Sequence, residues 1–575
     1  MPAHAAIQYS RMSFDPRAGA QVMGRRVAGS SFFQAWIEHS GADPLTAWVH
    51  SAADAAHVEG HARELGATGK VTVSNIHNLA PVQEAGALWL ADPSLSTHAW
   101  QRRWLGQAAW SLVGITHTIS SGRAMDLIAD LLIAPIQPWD ALICTSQAVK
   151  KVVQTLFQEQ ALYLQDRLGA TTCTGPELPV IPLGVDCAAL AHDGAARARW
   201  RAELGVGKDE VAVLQFGRIA FHAKAHPLPL FLALQRAAAK GGPKLHLILA
   251  GQPANPVQGE AVRTMAAAFS DSFATHFVDG AREDAGSVRS AADIFTLLSD
   301  NIQESFGLAP VEAMAAGLPV VGSNWDGLRD TIVHGETGLL ADTILPPAPT
   351  GEIIARRHAF GAEDYDRYIG HVAQATTVDV DQAAQAFATL AADPALRRRM
   401  GEAARARALQ SYDWPRVIGA YRALLDQLAV VRSQAGRERA VRADVARQPA
   451  RLDPFKLFAS YPNVVLNGGT RLVARQMRRV ADLPGGIEAA AIIPRGLPSS
   501  TTLDLMVERA VQPIGLADLL DGFPGQDPAC SPWAPPSCSR WGCWRAPEPG
   551  AGTDRVSAAE PPQARASSSC DKACA

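Results

Sequence analysis

The chain has 575 residues, 47% of them hydrophobic and 19% charged, with a formal net charge of −3. That length exceeds one ordinary core and implies two or more domains. The near-neutral balance argues against a nucleic-acid binder working by bulk electrostatics, and no uninterrupted apolar run approaches the roughly 18–20 residues of a membrane span.

The first residues, "MPAHAAIQYSRMSFDPRAGA", lack the apolar stretch of a signal peptide, so a cytoplasmic placement is expected, with room for peripheral membrane contact. From about residue 6 to 190, short apolar strands ("AIQYS", "PLTAWVHS", "KVTVSN", "ALWLAD", "LVGITHTIS", "DALICTS", "LPVIPLGVD") alternate with helical patterns such as "SSFFQAWIEH" and "VKKVVQTLFQEQALYLQDRL". Alternation of this kind predicts a parallel sheet with crossover helices. The stretch "DGAARARWRAELGVGKDE" reads as a linker carrying one helix. The rhythm then restarts with "VAVLQFGRI", "KLHLILAG", "THFVDG", "DIFTLLS" and "LPVVGS".

The expected organisation is therefore α/β, with two Rossmann-like domains facing a central cleft, at residues 1–205 and 206–410. An insertion is read near 343–379, one long helix through "DQAAQAFATLAADPALRRRMGEAARARAL", and a further helix over 411–432. Residues 433–523 read as a charged connector and a small accessory module. The tail 524–575 is rich in Pro, Ser, Ala, Cys and Trp without periodicity, and is expected to be disordered. Its abrupt onset also fits an out-of-frame translation near Pro524. The cysteines of the first half, Cys144, Cys173 and Cys187, are expected to be packing residues, because no C-x-x-C spacing occurs.

Two clusters carry chemistry. "ESFGLAPVEAMAAGLPVV" places Glu304 in a loop and Glu312 inside the next helix, with Pro310 in its first turn and Gly317 beyond its end. The amides of Ser305, Phe306, Gly307 and Leu308 are expected to face forward and form a site for phosphate or sugar hydroxyls. Taken alone, Glu304 could equally be a solvated loop residue and Glu312 a helix-favouring one. The second cluster, "LQFGRIAFHAKAHP", ends a strand with Gly217 and Arg218 and offers Lys224 six residues later. Arg as a planar fork and Lys as a point charge suit a diphosphate. Parallel topology puts both clusters along one cleft.

These stretches, with "LILAGQP", "FVDG", "DALICTSQAVKKVV" and "PVIPLGVD", resemble a retaining glycosyltransferase of the GT-B fold, the GT4 family, over roughly residues 100–430. The resemblance implies a nucleotide-diphosphate sugar as co-substrate and transfer to an acceptor hydroxyl in glycan, glycolipid or polysaccharide synthesis. It implies Arg218 and Lys224 on the diphosphate, Glu312 on the ribose, and Glu304 with the following amides on the transferred sugar. Front-face attack and a nucleophilic Glu304 both remain open descriptions of retention. His117, in "GITHTIS", matches a family histidine near the sugar, although a lone histidine is more often structural. Gly24 or Gly29, in the loop "FDPRAGAQVMGRRVAG", would approach the phosphates, but the family's usual paired glycines are absent there. No other cofactor and no essential metal are implied. "DVD" at Asp379–Asp381 resembles a metal motif of another transferase fold but reads better as a helix cap. Within enzymes, a phosphorylase or sugar-nucleotide processing relative is a weaker reading, since no pyridoxal-phosphate lysine motif appears. The alternative class is a non-catalytic scaffold of the same fold, or a damaged gene product.

Overall fold

The computed structural model describes residues 4–17, 24–42, 44–435, 445–467, 469–475, 500–521 and 544–545. It divides into two compact units, residues 1–449 and 450–575.

The first unit contains two six-stranded sheets, every pairing in them parallel. The first sheet comprises β1 (Ala6–Tyr9), β2 (Leu45–Val49), β3 (Val71–Ser74), β4 (Ala87–Leu90), β5 (Ser111–Ile115) and β6 (Ala141–Ile143), in the order β3-β2-β1-β4-β5-β6. The second comprises β7 (Val211–Phe216), β8 (Leu245–Ala250), β9 (Ala274–Val278), β10 (Ile294–Leu297), β11 (Val320–Ser323) and β12 (Gly338–Ala341), in the order β12-β11-β10-β7-β8-β9. Both are doubly wound sheets, and their strands read as apolar runs because helices cover both faces. Alternation separates the layers: Ile7, Tyr9 and Trp89 enter one core, and Ala6, Leu88 and Leu90 the other. Ala212 and Leu214 likewise oppose Val211 and Val213. The two Rossmann-like domains of the expected fold class are thus present.

Three local expectations are corrected. "LPVIPLGVD" is not a strand. It follows β6 through bonds such as Cys144 N to Pro179 O (2.9 Å) and Ile181 N to Cys144 O (3.1 Å), but forms only isolated bridges. Pro179 and Pro182 remove the donors a ladder needs. The long helix expected through residues 381–409 is two, Val380–Ala392 and Pro394–Ser411. Asp393 is held extended before Pro394 and caps the second helix through Ala395 N (2.9 Å) and Leu396 N (2.9 Å). The presumed linker forms the helix Gly194–Glu203, which is packed rather than loose: Ala196 and Trp200 enter the core of the second sheet, and Arg197 and Arg201 both pair with Asp293.

The insertion is closed at its base by β13 (Thr343–Ile344) pairing antiparallel with β14 (Thr377–Val378). Between them lie the helices Glu352–Ala359 and Tyr365–Ala375. Ile369 packs with Ala220 and Ala223 of the loop after β7. The helix Trp414–Gln434 returns to the first sheet, where Trp414, Val417, Ile418 and Tyr421 share a core with Ile7 and Trp89.

In the second unit, Arg471–Ala474 pairs antiparallel with Ile514–Gly515 and with Trp544–Arg545. Leu472, Leu503, Met506 and Leu519 form its small core. Apart from the two-residue strand Trp544–Arg545, the tail expected to be disordered lies outside the described residues. Among the described residues no helix is long and apolar enough to cross a membrane. Cys144 and Cys187 are buried, and burial pushes both thiols up to about 12, consistent with inert packing.

Candidate active site

In the second sheet the strand order reverses between β7 and β10, so the loops after their carboxyl ends meet at the switch point where open α/β sheets bind ligands. After β7, Gly217 (φ +137°) turns the chain in a conformation open to glycine, and Arg218 follows, exposed. The next turn brings Lys224 N onto Ala220 O at 2.9 Å. After β10, the buried Asn301 ties the two loops together. Its Nδ2 donates to the Lys224 carbonyl (2.6 Å), and its Oδ1 accepts from Gln303 N (3.0 Å) and Glu304 N (3.2 Å).

That template sets Lys224 Nζ 2.8 Å from Glu304 Oε2. Glu304 Oε1 accepts from Gly307 N at 3.2 Å. Burial would raise the Glu304 carboxyl, but the Lys224 charge and the Gly307 and Ser305 amides outweigh it and hold it below the usual carboxylate range. This corrects one expectation: the amide of Gly307 turns onto the Glu304 carboxylate instead of facing forward free. The Phe306 side chain is 3% exposed and packs edge-on against Tyr412, ring centroids 5.9 Å apart. Leu308 opens the helix Leu308–Ala315 and packs against the core of the second sheet.

Glu312 lies in that helix, and Arg289 Nη1 is 3.3 Å from its Oε2. Burial raises the Glu312 carboxyl, with Arg289 and Lys224 opposing. Arg289, itself over the Phe216 ring at 5.1 Å, was not among the sequence candidates. Its signal, one cation inside "GSVRSAAD", is indistinguishable from surface charge.

From the first sheet, His117 follows β5 and shares the lining of a cavity with Gly29, Ser13, Leu183 and Trp414. Gly29 has a packing reason to lack a side chain: a Cβ there would stand 2.2 Å from the Ser13 carbonyl oxygen. Residues 18–23 of the glycine-rich loop lie outside the described residues, while Gly24 begins the helix Gly24–His39. Across the cleft, Thr118 Oγ1 donates to Gln303 O (3.4 Å) and Ser146 Oγ to Ser305 O (2.8 Å). Gln147 N donates to Asp330 Oδ2 (2.5 Å). The inserted helices add a bridge, Tyr365 Oη to Ser120 Oγ at 3.0 Å. The loop bearing Glu304 is therefore held from both domains, and His117 is one residue from a contact to it. Asn301, Tyr365 and Asp326 are further residues that the sequence did not single out.

Asp379 caps the helix Val380–Ala392 through Gln382 N (2.9 Å), and Asp381 pairs with Arg236 (2.6 Å), so "DVD" acts as a cap. Among the described residues no group of three or more His, Cys, Asp or Glu side chains is placed to hold a metal ion.

Two doubly wound domains thus hold one loop between them, with paired cations and carboxylates at the switch point of the second sheet, the two-domain architecture that the motif resemblance implies. Residues 196–346 match the family model described as "Glycosyl transferases group 1", which bears out at family level the resemblance read from the motifs. The D-inositol 3-phosphate glycosyltransferase of Mycobacterium sp. (strain KMS) is 30% identical over 257 residues, 43% of this chain and 54% of the relative. The protein of that name from Arthrobacter sp. (strain FB24) is 32% identical over 255 residues, 44% and 51% of the two chains. The chain thus spans about half the length of the curated relatives it matches. Among solved structures, Anabaena HepE in complex with UDP and glucose aligns at 16% identity and a TM-score of 0.45, over 76% of this chain and 100% of that one. Sucrose-phosphate synthase from Thermosynechococcus elongatus aligns at 18% identity and a TM-score of 0.45, over 75% and 100%.

Proposed function

We propose that the chain moves a sugar from a nucleotide-diphosphate donor to an acceptor hydroxyl, with retention at the anomeric carbon and without an essential metal. The observation that carries this reading is the convergence of Lys224 and Glu304, 2.8 Å apart, beside Arg218 at one switch point inside the matched segment. Arg218 and Lys224 face the diphosphate. As the bond from the anomeric carbon to the phosphate oxygen breaks, negative charge grows on that oxygen, and fixed cations stabilise it without reorganisation. The acceptor oxygen bonds to the anomeric carbon, and its proton passes to the leaving diphosphate. Glu304, ionised at neutral pH, accepts from hydroxyls of the transferred sugar; Glu312 accepts from the ribose; His117 approaches the sugar from the opposite domain. Closure of the two domains excludes water from the reacting centre.

The relatives' name makes a phosphorylated cyclitol the first acceptor to try. The test incubates the protein with each common nucleotide sugar and that acceptor, with and without chelator, and reads the product's anomeric configuration by proton NMR. The retained anomer, formed equally in chelator, supports the reading. An inverted product, or activity abolished by chelator, contradicts it.

A further inference from the structure

Among the described residues, Asp326 is the one non-glycine residue with positive φ, at +36°. It occupies the tight turn after β11. Trp325 Nε1 donates to Asn301 O at 2.8 Å, tying this turn to the loop that carries Glu304. Gly327 presses on the same loop, since a Cβ there would stand 2.5 Å from Phe306 Cα and 2.7 Å from Ser305 O. The Asp326 carboxyl is only half used: Oδ1 accepts from Leu328 N at 3.3 Å, while Oδ2 is buried without a hydrogen-bond partner. A glycine would suit this backbone, and a buried carboxyl oxygen without a partner is a cost. A strained residue bearing an orphaned polar atom beside a candidate active site points to function.

We propose that Asp326 is a specificity-determining residue of the same cleft, presenting its free carboxyl oxygen beside Glu304 to a hydroxyl of the transferred sugar. This rests on the glycosyl-transfer reading above. The charged groups acting on Asp326 are Glu304 and Lys224. Burial first, and then the Glu304 charge, push the Asp326 carboxyl well above its ordinary range, with Gly327, Leu328 and Lys224 opposing. That shift favours the protonated, donating form of the Asp326 carboxyl beside Glu304, whose carboxyl is held in the accepting, ionised form. Such a pair recognises a sugar with a hydroxyl, or two neighbouring hydroxyls, able to accept from one and donate to the other. A donor epimeric at that hydroxyl leaves both carboxyls mispaired.

The test compares wild type with Asp326→Gly and Asp326→Asn, using the accepted nucleotide sugar, its epimers and the sugar-free diphosphate. Asp326→Gly relieves the backbone and is expected to raise Tm, while kcat/KM for the accepted donor falls about tenfold or more and discrimination against epimers narrows. Diphosphate affinity stays within about twofold, because the sugar contact alone is removed. Asp326→Asn, which keeps a donor and tolerates the backbone, rescues most of the discrimination. A readout independent of turnover is stability against pH. The folded state holds the Asp326 proton to higher pH than the unfolded state does, so this group's contribution is full below the unfolded pKa and is lost as pH rises through the raised folded value. Asp326→Asn should lack that decline. Unchanged discrimination and kcat/KM in Asp326→Gly, with diphosphate binding intact, overturn the role of Asp326 alone. Failure of wild type to bind any diphosphate or transfer any sugar overturns both readings.

Discussion

Replacing Lys224 by methionine isolates the pair at the centre of the site. Glu304 is 10% exposed and Lys224 33% exposed, so the pair is partly buried and one partner keeps some solvent. Breaking a fully buried pair costs about 3–5 kcal/mol, and the exposure of Lys224 discounts this to about 2 kcal/mol. The sign with pH follows from Glu304. In wild type its folded pKa is depressed, so its contribution is present above the unfolded pKa and is lost as pH falls through the folded value. Without Lys224 the first effect on Glu304, burial, is opposed only by the Gly307 and Ser305 amides, and the carboxyl rises. The deficit of Lys224→Met against wild type should therefore be largest near neutral pH and shrink toward pH 4. Urea unfolding at a series of pH values measures it, and a deficit flat with pH would refute this reasoning. Loss of a transition-state cation should also lower kcat by about 10²–10³.

Two further outcomes test the scaffold. Arg102 and Asp140 form a bidentate pair at 2.5 and 2.7 Å with neither side chain exposed, so Asp140→Asn strands a buried guanidinium and should cost about 3–5 kcal/mol in urea unfolding. His98, which burial pushes down to about 4, is neutral when folded and takes a proton when unfolded below its ordinary value. Stability should accordingly fall, by an amount on the order of 3 kcal/mol, as pH drops from 6.5 toward 4. His98→Gln should flatten that fall, as followed by thermal melts over the same range.

Most of the architecture was legible because buried parallel strands announce themselves as apolar runs between helical patterns; "KLHLILAG" became β8 with all six residues buried. The failures were local. Proline punctuation at Pro179, Pro182 and Pro394 outweighed apolar content and helix propensity, and the charge of "ARARWRAEL" concealed that the expected helix is packed, with two arginines sharing Asp293. At the site, the meeting of Lys224 with Glu304 was legible because strand-end loops on one sheet converge. The Glu304 carboxylate capturing its own loop's amides, Arg289 reaching Glu312, and the strained Asp326 were not, since each depends on distances set by tertiary packing. The Tyr365 bridge to Ser120 joins positions 245 residues apart and leaves no local signature.

The central claim is that Arg218 and Lys224 hold a nucleoside diphosphate in the cleft. The most direct measurement is thermal stabilisation of the protein by UDP, GDP, ADP, dTDP and CMP in metal-free buffer, repeated on Arg218→Ala. One nucleotide should stabilise wild type, by about 2.7 kcal/mol at 100 times its dissociation constant, and should lose most of that effect in the variant. No stabilisation by any of them at millimolar concentration, or equal stabilisation of Arg218→Ala, would contradict the account.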